Sequence, residues 1–227
     1  NNFNAAQFPG EQFYYGKVDY EPSPLNRVQK TYSPGKYWIG ADRGVALQYL
    51  INQASDSVRI WTIAMAQGSI PTTTAMYPEG TLYKTQTTDE QDHSIVEYRD
   101  IQGKVILKKV QFDATPGMAH TGWLCTYYVY DDLGNLRFVI QPQGVALLLA
   151  AGNWTVTTAI AGGLCFRYEY DARRRMIIKK VPDAGEVWMV YNDRDLLVMT
   201  QDANLRAQAK WMYTVYDQLN RPVATGI

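Results

Sequence analysis

Cys125-Thr126-Tyr127-Tyr128-Val129-Tyr130-Asp131-Asp132-Leu133-Gly134-Asn135-Leu136 lies without a gap over Cys165-Phe166-Arg167-Tyr168-Glu169-Tyr170-Asp171-Ala172-Arg173-Arg174-Arg175-Met176. The chain is therefore internally duplicated around a Tyr-Asp pair, and such self-similarity decides architecture before any local propensity does. Two more copies follow, Tyr191-Asn192-Asp193-Arg194-Asp195-Leu196-Leu197 and Tyr216-Asp217-Gln218-Leu219-Asn220-Arg221-Pro222. A variant with one extra residue after the tyrosine stands earlier, as Tyr98-Arg99-Asp100-Ile101-Gln102-Gly103-Lys104-Val105, and a degenerate one opens the chain at Tyr20. The tyrosines at 98, 130, 170, 191 and 216 leave intervals of 32, 40, 21 and 25 residues. The two shortest hold only two short strands and two turns, so the repeating unit is a β-hairpin.

Each copy reads as strand, Tyr-Asp, two turn residues, Gly or a substitute, then strand. An Asp at the start of a reversal accepts backbone N–H groups two residues on, and Gly supplies positive φ. Asp100 with Gly103, Asp131 with Gly134 and Asp217 with Asn220 fit this reading, and Asp171 and Asp193 are the acids of the remaining copies. Arg174 at the glycine position predicts an altered or strained turn. Leu136–Ile140, Met176–Val181, Leu196–Thr200 and Val105–Phe112 are strand-like, rich in Val, Ile, Leu and Phe. Pro142 to Gly152, with good helix formers ending on a glycine, predicts a short helix over about 143–151. Alternation sets Tyr170, Tyr168, Phe166 and Leu164 on one side of a strand and Glu169, Arg167 and Cys165 on the other. The apolar side is expected to face inward, with tyrosine rings stacked from copy to copy and their hydroxyls on turn backbone or Asp carboxylates. The alternative is a tyrosine-out ligand platform.

The 227 residues are enough for one large domain or two small ones. A β-rich N-terminal region over 1–90, with its degenerate repeat near 20–28, is expected to precede a repeat region over 91–227. Tyr, Phe and Trp number 17, 6 and 6, a composition that suits half-buried pleated surfaces. Lys plus Arg and Asp plus Glu are 22 each, so no net field exists to hold nucleic acid or an anionic membrane. The longest apolar stretch, Val145–Ala151, falls far short of the roughly 20 residues a membrane helix needs. Beginning at Asn1 and closing on Gly226-Ile227 in mid-pattern, the sequence is expected to be an excerpt of a longer polypeptide.

The Tyr-Asp copies resemble the YD repeats of the Rhs (rearrangement hotspot) family, whose motif is Tyr-Asp, two variable residues, Gly-Arg or Gly-Asn, then an apolar residue. Tyr20-Glu21-Pro22-Ser23-Pro24-Leu25-Asn26-Arg27-Val28, with Pro34-Gly35 and Trp38, looks like the region preceding such repeats in large secreted or surface proteins of Bacteroidetes. The resemblance is loose from Tyr20 and close from Tyr98 onward. It implies a mainly β fold in which hairpins build a twisted, curved antiparallel sheet that coils into a hollow shell, as in toxin complexes, polymorphic toxins and the related teneurins. It further implies a secreted or surface location in a bacterium, neighbouring repeats of the parent polypeptide as partners, and a C-terminal effector or other cargo enclosed by the shell. No effector domain and no Asp-Pro-containing core segment like the family's self-cleaving aspartyl site is found.

Catalytic motifs are sparse. Gly-x-Ser-x-Gly is missing, and Pro34-Gly35-Lys36-Tyr37 reads as a turn rather than a phosphate loop. His93 and His120 lack metal-motif context and are expected to be ordinary loop or surface residues. Asp131-Asp132 and Asp193-x-Asp195 lack the Ca²⁺-loop pattern, and turn capping accounts for such acids. Arg173-Arg174-Arg175 reads as a solvated turn. No catalytic, cofactor or metal residues are assigned, and the chain is expected not to be an enzyme. In a meander one strand separates Cys125 from Cys165, about 9.5 Å at roughly 4.8 Å per strand. That exceeds disulfide reach, so two semi-buried thiols are expected. Trp38, Trp61, Trp123, Trp154, Trp188 and Trp211 with the tyrosines supply the alternative function, a carbohydrate or cell-surface binding module with a glycan as partner. A paired-carboxylate glycosidase is the weaker rival. Strand edges of the excised repeats are expected to pair with one another.

Overall fold

Turn signals punctuating Val-, Ile- and Tyr-rich runs give a mostly β chain in the computed structural model, which describes residues 2–227. The strands are β1 (Lys17–Tyr20), β2 (Val28–Tyr32), β3 (Val45–Ile51), β4 (Arg59–Thr62), β5 (Thr72–Met76), β6 (Tyr83–Thr88), β7 (Ser94–Arg99) and β8 (Val105–Gln111). They continue with β9 (Trp123–Tyr130), β10 (Leu136–Ile140), β11 (Cys165–Tyr170), β12 (Met176–Lys180), β13 (Glu186–Tyr191), β14 (Leu197–Gln201), β15 (Met212–Tyr216) and β16 (Pro222–Gly226). Short helices α1 (Asn2–Gln7), α2 (Pro142–Ala151), α3 (Thr158–Gly163) and α4 (Ala203–Ala207), with 3₁₀ turns at Ile39–Ala41 and Ala54–Asp56, lie among the strands.

Two compact units form, one of Asn1–Val58 with Tyr77–Leu124 and the other of Arg59–Met76 with Cys125–Ile227. The expected division at residue 90 marks where regular repeats begin. Packing divides the chain elsewhere, because β6 and β7, on either side of that point, are paired along their whole length.

In the first unit the antiparallel order is β1-β2-β3-β6-β7-β8. Buried Asn52 fastens the point where β3 gives way and β6 resumes: its amide donates to the Pro78 carbonyl at 2.8 Å and its side-chain oxygen accepts from the Leu82 N–H at 2.8 Å. Val58, Leu82, Val96, Ile106 and Leu107 fill the core. Lys109 is buried among them and satisfies its ammonium on the carbonyls of Met118 and Ala119, at 2.9 and 2.6 Å.

In the second unit β9 to β16 follow one another in sequence order, each antiparallel to the last. The helix expected after Ile140 is α2; Pro142 starts it and Gly152, at φ 70°, closes it on the Leu148 and Leu149 carbonyls. A separate two-stranded ribbon, β4-β5, is an element that the repeat pattern does not announce.

The ribbon decides which face is buried. Trp61 on β4 meets Tyr127 edge-on at 5.8 Å and Trp154 at 6.4 Å, and the Arg59 N–H donates to the Tyr127 hydroxyl at 3.0 Å. The Gly68 N–H donates to Glu169 at 2.9 Å. The covered face therefore carries Cys125, Tyr127, Val129, Phe138, Ile140, Cys165 and Glu169. This corrects the expected parity: the side of Cys165 and Glu169 is the inner one, and Tyr168 and Tyr170 stand half-buried on the other. Alternation separates two faces of a strand; the segment that covers one of them lies some hundred residues away in the chain, beyond the reach of local pattern.

Candidate functional site

The feature repeated with least variation is the Tyr-Asp turn. Asp131 Oδ1 accepts the N–H groups of Leu133 and Asn135 at 3.1 and 2.8 Å. Asp171 does so with Arg173 and Arg175, and Asp217 with Leu219 and Arg221, all between 2.8 and 2.9 Å. Asp100 accepts from Gln102 and Lys104 at 2.9 and 2.8 Å. The second carboxylate oxygen takes the side chain that follows the glycine position, Asn135 at 3.1 Å, Arg175 at 2.7 Å and Arg221 at 2.7 Å. Here lies the physical reason for Gly-Asn or Gly-Arg in the motif: an amide or guanidinium closes the reversal from the far side.

The glycine position is left-handed in every copy: Gly103 φ 80°, Gly134 79°, Arg174 61°, Asp195 61° and Asn220 62°. Arg174 is thus accommodated without a change of turn, held in a conformation L-residues avoid. Its guanidinium donates to the Leu133 carbonyl at 2.7 Å and to Asn135 Oδ1 at 3.1 Å.

Two assignments shift by one residue. In the third copy Asn192, not Asp193, is the acceptor, taking the Arg194 and Leu196 N–H groups at 3.0 Å each. In the variant copy there is no extra turn residue: Arg99 pairs with Val105 as Tyr130 pairs with Leu136, so Arg99 holds the motif-tyrosine place. Tyr98 consequently points to the opposite face, where it is 1% exposed. A sixth turn escaped the pattern because no tyrosine precedes it. Asp89 accepts from Gln91 and His93 at 2.8 and 2.9 Å, and Asp92 sits at φ 65°. The readable signal was Asp89-x-x-Asp92 between two strand-like runs.

The motif tyrosines form a ladder. Tyr170 donates its hydroxyl to the Leu136 carbonyl at 3.0 Å, Tyr191 to Met176 at 2.9 Å and Tyr216 to Leu197 at 2.9 Å. Leu136, Met176 and Leu197 are the strand partners of the preceding tyrosines, Tyr130, Tyr170 and Tyr191. Register between hairpins is equally constant. Carrying the ladders Phe138↔Arg167, Ile178↔Trp188 and Met199↔Tyr213 on to the motif tyrosines sets Tyr170 across from Asn135, Tyr191 across from Arg175 and Tyr216 across from Leu196. Each lies five residues past the previous tyrosine, although the connecting segments differ widely in length. Hydroxyls thus reach backbone, as expected, and among these three the acceptor is a carbonyl rather than a carboxylate.

Arginines tie successive turns. Arg173 and Arg175 both reach Asp195 Oδ1, at 2.9 and 2.6 Å, and Arg194 reaches the Asp217 carbonyl at 3.3 Å. The Arg173-Arg174-Arg175 run is thus an inter-turn clamp more than a solvated loop. Asp195 and Asp217 are held below the usual carboxylate range, the first chiefly by Arg173 and the second by the Arg221 N–H and guanidinium. At Asp171 desolvation opposes the Arg175 and Arg173 contacts, which prevail.

Beneath the turns lies a buried ion pair. Arg137 contacts Glu169 and donates to the Tyr168 carbonyl at 3.1 Å, with Asp131 3.8 Å away. Cys125 and Cys165 are buried thiols on β9 and β11 with β10 between them, and burial pushes the Cys165 thiol up to about 12. Among the described residues no three His, Cys, Asp or Glu side chains group as a metal site. His93 is exposed beside Asp89, whereas His120, expected to be ordinary surface or loop, is a loop residue only 5% exposed. Trp188 and Trp211 lie 6.5 Å apart with Arg206 stacked on Trp188. No helix among the described residues is long and apolar enough to cross a membrane.

Residues 1–51 match a family model described as Domain of unknown function (DUF6443). No curated protein matches the chain. Among solved structures, "Crystal Structure of TcdB2-TccC3-TEV" is similar with a TM-score of 0.49 and 15% identity, the match covering 93% of this chain and 10% of that one. The chain thus spans about a tenth of that protein's length.

Proposed function

We propose that this chain is a segment of wall in an Rhs-type shell of a secreted or surface bacterial protein, enclosing or presenting a cargo domain and carrying out no chemistry itself. The observation that supports it is the fixed five-residue register between tyrosines, with each hydroxyl bonded to the hairpin before it. A register that survives connectors of different length is a device for adding hairpins without limit, which suits a wall. The carboxylates of Asp100, Asp131, Asp171 and Asp217 are each occupied by N–H groups of their own turns. Protease digestion of the natural full-length protein, followed by peptide mapping, tests the role. A cargo segment resistant until the wall is denatured is expected; uniform cleavage of every other segment under native conditions overturns it.

A second reading, glycan binding, is favoured by a groove of about 650 Å³ in the first unit lined by Tyr49, Leu50, Ile51, Tyr83 and Met118, with Arg27 stacked on Tyr49 at 4.4 Å. Binding on a glycan array that is lost in Tyr83→Ala would establish it.

A further inference from the structure

We propose that a cavity of about 160 Å³ within the second unit binds a small monocarboxylic acid. Its carboxylate lies between Arg167 and Lys180, and its short aliphatic stem lies against Phe138, Ile70 and Ala161. The site goes beyond the wall reading and does not depend on it. Strand pairing builds its floor. Phe138, Arg167 and Lys180 stand directly across from one another on β10, β11 and β12, so a fully buried ring and two cations share one row of the covered face. Helix α3 and the loop joining β4 to β5 close over that row, bringing Ala161 and Ile70 to the same cavity.

The two cations are answered differently. Arg167 pairs with Glu186, while its Nε faces Glu169 Oε1 at 3.7 Å, outside hydrogen-bond reach. Glu169 is already engaged by Arg137 and by the Gly68 N–H at 2.9 Å. The Arg167 Nε is thus a buried donor on a charged group with no acceptor, an arrangement that costs free energy until one arrives. Lys180 has three protons and donates to the Gly162 carbonyl at 2.8 Å, and no carboxylate among the described residues forms an ion pair with it. Burial drives the Cys165 thiol up and the Lys180 charge opposes that rise, which sets the ammonium on the covered side of the sheet. One uncompensated positive charge and unused N–H donors therefore meet an apolar wall. A single carboxylate answers the charge and the donors together, and a short hydrocarbon stem suits the ring and aliphatic side chains. The volume falls below the roughly 300 Å³ at which pockets take drug-sized ligands, which restricts the stem to a few carbons.

The same carboxylate can arrive as a free acid or as a glutamate side chain of a partner, and the test separates the two. The chain is titrated with sodium propionate while the Arg167 Nε–H resonance is followed, with sodium chloride at matched ionic strength as control. A saturable shift that chloride does not reproduce is expected. Lys180→Met should weaken binding about tenfold, the worth of one hydrogen bond to a charged group. Ala161→Leu, which fills the cavity and leaves both cations in place, should abolish it. N-acetylglutamate methylamide then replaces propionate. Saturation at equal or lower concentration supports the site with a partner's side chain as occupant, and saturation by propionate alone supports it with a free acid. No saturable shift with either compound, a shift that chloride equals, or one unaltered in both variants overturns the proposal. Tighter saturation by inorganic phosphate overturns the carboxylate assignment.

Discussion

Gly103 shows most simply what a single turn position demands. It lies at φ 80° and nothing stands within 4 Å of where its Cβ would be. Gly103→Ala should therefore cost about 1 kcal/mol through backbone strain alone, read from urea unfolding. Arg174→Gly, the reverse change in the equivalent place, should stabilise by about 0.5 kcal/mol, since the exposed hydrogen bonds it forfeits are worth less than the strain it relieves. The carboxylates of Asp171 and Asp217 titrate below their unfolded values, so their contribution is full above the unfolded pKa and is lost as pH falls through the folded one. Melting temperature should be flat from pH 7 to about 5 and fall below about 4, less steeply in Asp171→Asn and Asp217→Asn. Asn192 fills the same place without charge, so that turn should not contribute to the acid limb. At this scale the sequence was legible for acids and glycines, whose roles depend on neighbours four residues away. It misled where one residue had two candidate roles, as with Asn192 and Asp193, or Tyr98 and Arg99.

Between elements the governing contact is the Arg137–Glu169 pair, buried under the loop that joins β4 to β5. Removing one partner strands the other charge, so Arg137→Met should destabilise by about 3 kcal/mol, and adding Glu169→Leu should recover part of that loss in a double-mutant cycle. The thiols offer an independent check on strand order. Cys165 should resist iodoacetamide at pH 8 in the native protein and react on denaturation, and no linked 125/165 peptide should appear in the unreduced digest. Strands, hairpins and α2 were readable from period and punctuation. The inner face was not, because Trp61, Gly68 and Trp154 cover it from segments that carry no Tyr-Asp signal.

For the whole molecule, the repeat class and the mostly β architecture follow from four aligned turns, whereas the cut into two units follows from where residues 59–76 pack, which no repeat spacing encodes. The groove beside Tyr83 likewise arises from strands far apart in sequence. The account stands on tyrosines that each reach back to the previous hairpin at one fixed register. NOE spectroscopy of the protein with labelled tyrosine rings tests this most directly. Contacts from Tyr170 to Leu136, Tyr191 to Met176 and Tyr216 to Leu197 are expected; rings that instead contact Cys165, Ile178 or other residues of the covered face would contradict it.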